Sequence, residues 1–123
     1  MKISIDKNEH YLWVNTEATT IAESLALELV QTAKKEMETG EWAYVIFEFS
    51  MANQIDLEAK TVLQTYNLTL QENLGMALCV ADQAQWHEEF EEIGLVLTPT
   101  LGEAVEYIYM DQLEKDFLTD SES

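Results

Sequence analysis

With 123 residues, the chain has the length of a single domain, enough for one hydrophobic core and not for two. Hydrophobic residues make up 47% of it, which argues against intrinsic disorder, and no apolar stretch approaches the roughly 20 residues of a membrane span. The formal net charge is −18, from 24 acidic residues against six lysines and no arginine. That balance excludes nucleic acid as a natural partner, since binding it rests on neutralising phosphates with Lys and Arg.

The same charge disfavours an anionic membrane surface and suits a basic protein, whose capture long-range attraction would speed. Solubility alone is the plainer role for such acidity. The start, MKISIDKNEHYLWV, has no apolar segment followed by a small-residue cleavage site, so it does not read as a signal peptide. One cysteine allows no internal disulfide, and the expectation is a reducing cytoplasm.

In chain order, residues 2–6 (KISID) and 11–15 (YLWVN) alternate apolar and polar around a polar 7–9 and predict an antiparallel hairpin. Thr20 with Glu23 has capping-box spacing and predicts a helix to about Thr39, with Ile21, Leu25, Leu29 and Ala33 inward and Gly40 ending it. The apolar run 42–49 (WAYVIFEF) predicts a buried strand, and a short polar turn follows. Asp56 opens a helix to about Asn73 whose Ala59, Val62, Leu63, Tyr66 and Leu70 share a face.

Gly75 leads into a strand over 76–80, and Asp82 is placed to cap a short helix carrying Trp86, Phe90 and Ile93. Gly94 stops that helix, 95–97 is a brief strand, and Thr100 caps a last helix with Leu101, Ala104, Val105 and Ile108 inward. The predicted fold is an open α/β mixed sheet of about five strands with parallel central strands and four helices, ordered β-β-α-β-α-β-α-β-α. Residues 1–118 form one domain, and 119–123 read as a frayed acidic tail.

No catalytic kit accompanies these elements, and the reading is of a binding module rather than an enzyme. His10 and His87 lack a second histidine or the cysteine at metal-ligand spacing, and Cys79 lies mid-strand as a buried thiol. Glu88, Glu89, Glu91 and Glu92 form a solvated acidic face without the loop and glycine that calcium needs. No Gly-rich phosphate loop or nucleophile elbow is present, so no cofactor is expected.

The stretch 47–63, FEFSMANQIDLEAKTVL, resembles the strand, "DLS" turn, "ID-Ser-Ser-Gly-Leu" loop and helix of the STAS domain, the family of bacterial anti-sigma factor antagonists. Phe49 and Ser50 match the "LS", Ile55 and Asp56 the "ID", and Leu63 a core leucine. Further on, Gly94 with Leu95, and Glu103 with Ala104 and Val105, match the family's "Gly-Leu" and "EAV". The resemblance covers residues 2–110. It implies a regulatory protein-binding module whose turn meets an anti-sigma factor of kinase-like fold. The runner-up is the STAS subunit of a lipid-transporting ABC system, which grips an ATPase subunit. A small-molecule sensing domain is a third reading.

The resemblance places the partner contact on Ser50, Asn53, Asp56, Leu57, Glu58, Lys60 and Thr61. The family's phosphorylatable serine or threonine is here Leu57, its neighbour is Glu58, Ala59 replaces a glycine, and Lys60 replaces a leucine. A phosphoswitch cannot operate at that place without a hydroxyl; Ser50 and Thr61 are the nearest alternatives. Asp56 suits an N-cap, and Glu58 suits either the helix macrodipole or a fixed substitute for phosphate. Beyond the expected end of the fold, Met110, Leu113 and Phe117 form a second apolar stripe, read as packing on its own domain, as a homodimer contact or as a partner contact.

Overall fold

The computed structural model of the chain describes residues 3–121, with side chains described as far as residue 116. A hairpin opens it, β1 (Ile3–Lys7) antiparallel to β2 (Leu12–Thr16). There follow β3 (Thr20–Ile21), α1 (Glu23–Met37), β4 (Tyr44–Glu48), β5 (Gln54–Ile55) and α2 (Leu57–Gln71). The chain continues with β6 (Met76–Val80), α3 (Trp86–Glu92), β7 (Val96–Thr98) and α4 (Leu101–Ser121). Residue 2 of the expected first strand and residues 122–123 of the expected tail lie outside the described residues.

Five strands form one sheet in the order β1-β2-β4-β6-β7, parallel except for β1, as the predicted order requires. Alternation along β4 divides the core. Val45 and Phe47 join Leu12, Val14, Ala77 and Cys79 beneath α1, α2 and α3, while Tyr44 and Ile46 join Leu78 and Val80 beneath Ala104 and Ile108 of α4. With both faces covered, β4 and β6 read as continuous apolar runs, which is why their sequence shows no period of two. Asn67 is the buried polar tie between layers. Its Oδ1 accepts from the Ala77 amide at 2.8 Å and its Nδ2 donates to the Gly94 carbonyl at 3.4 Å.

Several expected boundaries are corrected. Thr20 does not cap α1: it lies in β3, which pairs in parallel with β5, and this extended pairing defers the helix to Glu23, with Ala22 at the N-cap. The same Thr-x-x-Glu spacing does give a side-chain cap at Thr100, where nothing pairs the backbone. The Glu103 amide donates to Thr100 Oγ1 at 3.2 Å and that hydroxyl donates to Glu103 Oε2 at 3.1 Å. Asp82 does not cap α3, which begins at Trp86 with Gln85 at its N-cap. The strand expected from residue 42 begins at Tyr44, since Trp42 instead donates its indole N–H to the Asn8 carbonyl at 2.6 Å. α1 ends at Met37, before Gly40.

In the connection after α2, Leu74 has φ 63°, a left-handed conformation that costs a branched side chain about 1–2 kcal/mol. Next to it, Gly75 passes so close to β4 that a Cβ there would sit 1.8 Å from the Ala43 carbonyl oxygen. The two positions therefore respond oppositely to substitution. Leu74→Gly is expected to raise stability by about 0.5–1 kcal/mol, and Gly75→Ala to lower it by about 2–3 kcal/mol. Urea denaturation of the two variants measures both, and equal effects at the two sites would contradict this account.

Candidate functional site

The turn between β4 and α2 is held by its backbone. The Phe49 amide donates to the Val80 carbonyl at 2.8 Å, and the Ala52 amide to the Phe49 carbonyl at 2.9 Å. The Asn53 and Gln54 amides both donate to the Thr19 carbonyl, and the Asp56 amide to the Ile21 carbonyl at 3.0 Å. From the other side, Gln83 Nε2 donates to the Ala52 carbonyl at 3.1 Å. The β3–β5 pair is thus part of a staple that ties the start of α2 to the start of α1.

On this frame the expected contact residues divide. Ser50, Asn53, Asp56, Leu57, Glu58 and Thr61 are exposed. Leu57, in the first turn of α2, is 68% exposed. Lys60 is directed elsewhere: its Nζ lies 3.2 Å from Glu89 Oε2 on α3, and its side chain is only 12% exposed. Asp56 occupies the N-cap position with extended backbone, but its carboxylate makes no capping bond, which corrects the expected cap. The Asp56 carbonyl accepts the first intrahelical bond, from the Lys60 amide at 3.1 Å, and the Asp56 amide is held by the Ile21 carbonyl.

The two alternative hydroxyls lie in different surroundings. Ser50 opens onto a cleft of about 380 Å³ that also holds Asp6, Glu17 and Glu48, so a phosphate there would meet like charge. Thr61 Oγ1 donates to the Leu57 carbonyl at 3.1 Å and lies in a groove of about 400 Å³ between α1 and α2. The α1 wall of that groove, with Leu27 and Val30, was not among the residues expected at the site. Tyr66 lines it too. Its hydroxyl is buried without a hydrogen-bond partner, and burial pushes its pKa up to about 12.

The other expected apolar feature, on α4, is pinned by its polar side. Tyr44 donates its hydroxyl to Asp111 Oδ2 at 2.6 Å, and Lys115 Nζ lies 2.7 Å from the same oxygen. Lys115 also donates to the Leu74 carbonyl. Met110 and Leu113 remain 66% and 63% exposed, so they do not pack on the domain as one expected reading had it. The Phe117 side chain lies outside those described. His10 meets the ring of Tyr109 at 5.5 Å in edge-to-face contact, His87 is exposed, and Cys79 is fully buried. Among the described residues no three His, Cys, Asp or Glu side chains are grouped so as to hold a metal ion, and no helix is long and apolar enough to cross a membrane.

Two substitutions check this geometry. Asp56→Ala is expected to cost less than about 0.5 kcal/mol, against the ~1 kcal/mol of a working cap, as read by thermal denaturation. Tyr66→Phe removes a desolvated, unpaired hydroxyl and is expected to stabilise by about 1 kcal/mol. Because the folded protein holds the Tyr66 proton more tightly than the unfolded chain does, stability falls as pH rises from about 10 through about 12. That fall should be shallower in the Phe variant; an identical slope would show that the hydroxyl is solvated.

No family model matches the sequence, and no curated protein does. Solved structures do match in shape. The anti-sigma factor antagonist SpoIIAA in its unphosphorylated form is 10% identical, with a TM-score of 0.68 over 88% of this chain and 98% of that one. The Bacillus cell fate determinant SpoIIAA in its phosphorylated form is 11% identical, with a TM-score of 0.65 over 87% and 99%. An anti-sigma factor antagonist from Mycobacterium paratuberculosis is 15% identical, with a TM-score of 0.68 over 88% and 93%. The chain has the fold of the anti-sigma factor antagonists, the STAS fold.

Proposed function

We propose that the chain is a regulatory protein-binding module, not an enzyme, that engages its partner through the turn over 50–60 in one permanent, phosphorylation-independent state. The observation that carries this is Leu57, an exposed leucine on a stapled backbone, at the place that the resemblance assigns to a phosphorylatable hydroxyl. Burying one leucine in a partner contributes about 1.5–3 kcal/mol, roughly a tenfold to hundredfold gain in affinity. A preformed turn adds to this by leaving little loop to order on binding. Ser50, Asn53, Asp56, Glu58 and Thr61 surround it as polar contacts, and Lys60 acts through Glu89.

The partner is a protein with a basic surface, an anti-sigma factor of kinase-like fold or, in the runner-up reading, an ATPase subunit. A charge of −18 supports this by favouring a positive counterpart. The lone buried Cys79 suits a reducing cytoplasm. A second contact on α4, with a partner or another copy of the chain, is supported by the exposure of Met110 and Leu113, with Phe117 further along the same helix.

Affinity capture from the native host, run with wild type, Leu57→Asp and Leu113→Ser, tests the reading. Wild type and Leu113→Ser should retain a partner that Leu57→Asp loses, while all three keep the same melting temperature within about 2 °C. Glu58→Gln should retain it as well if that carboxylate only complements the helix dipole. Retention by Leu57→Asp with loss by Leu113→Ser would place the interface on α4.

A further inference from the structure

The exposed Leu57 stands at one end of the groove between α1 and α2, and that groove has a charge polarity of its own. Both helices connect parallel strands of one sheet, so they run side by side in the same direction with their first turns at one end. Each first turn carries an exposed carboxylate, Glu23 on α1 and Glu58 on α2. Toward the other end, Lys34 lies with its Nζ 5.8 Å from the centre of the Tyr66 ring. Between them the groove offers Leu27, Val30 and Leu57 as apolar surface, two of the three exposed.

We infer that this groove is a docking site for one amphipathic helix of the partner, lying antiparallel to α1 and α2. The inference rests on the binding reading above and adds the occupant and its direction. From Glu23 to Lys34, eleven residues of helix span about 16 Å, so the occupant needs about three turns. Its aliphatic side chains, at spacings of three and four residues, fill the space between Leu57 and Val30. Lys or Arg in its last turn meets Glu23 and Glu58, and Asp or Glu in its first turn meets Lys34. That charge order also favours the occupant's own macrodipole, acidic at its start and basic at its end. A parallel occupant would have to set its charges against its dipole to match the same groove. Antiparallel docking satisfies both demands at once.

The experiment places the photo-crosslinking residue p-benzoylphenylalanine singly at Leu57 and at Thr65, both exposed, in the full chain in its native host, and sequences the captured peptides. Expected is a crosslink from both positions to one segment of a single partner, with aliphatic residues at helical spacing. Its basic residues should fall near the Leu57 crosslink and its acidic ones near the Thr65 crosslink. The double variant Glu23→Lys, Glu58→Lys should cut the Thr65 crosslink yield at least about tenfold. A crosslink from Leu57 with none from Thr65 overturns the groove and leaves binding through the turn standing. Crosslinks from neither position overturn both. Capture of a second copy of this chain, of a segment with the reverse charge order, or an undiminished yield in the double variant also overturns the inference.

Discussion

Strand β4 has no free side. It is paired along both edges, to β2 and β6, and covered on both faces, by the three-helix layer and by α4. A strand enclosed in this way must satisfy its backbone within the sheet and its side chains within two separate cores. Its register is therefore fixed by four neighbours at once. Everything of functional interest follows from where this strand ends. The chain leaves β4 at Glu48 into a turn that begins one residue beyond buried Phe49, so the exposed segment starts from an immovable base.

That base lets so short a turn hold a fixed shape. Four backbone amides and one glutamine side chain hold it to segments from elsewhere in the chain. Side chains are consequently released from structural duty. Asp56 need not cap, Leu57 need not pack, and Glu58 needs no internal partner to keep the helix start in place. A turn held by side-chain bonds could not present those same side chains outward. Preorganisation of this kind lowers the entropy lost on binding without adding a contact.

Much of the fold was legible in the sequence, for a physical reason. Buried parallel strands appear as uninterrupted apolar runs, as at 44–47 and 76–80, and helices packed on a sheet show one apolar stripe, as in Leu63, Tyr66 and Leu70. Two-residue strands have no period at all, so β3 and β5 left no trace, and the capping motif at Thr20 was outcompeted by a pairing that could not be read. The partner of Asp111, Tyr44, lies 67 residues away, and no local spacing announces a bond across that distance. The turn was legible through its aspartate and its resemblance. The groove was not, because its α1 wall depends on how two helices lie side by side.

The left-handed Leu74 has a consequence beyond its local strain. Its carbonyl accepts Lys115, so the connection after α2 is also an anchor for the far end of α4. With Gly75 pressed against Ala43 on the following residue, the α2–β6 connection is tied to α4 and to the entry of β4 over two successive positions. A loop so tied cannot change length: one inserted residue would lift the carbonyl away from Lys115 or displace β6 against β4. The β1–β2 loop over 8–11 is tied as well, by the Trp42 indole on the Asn8 carbonyl and by the Tyr109 ring on His10. Length variation in descendants of this chain should thus spare the connection at 72–75, although it is a short surface loop.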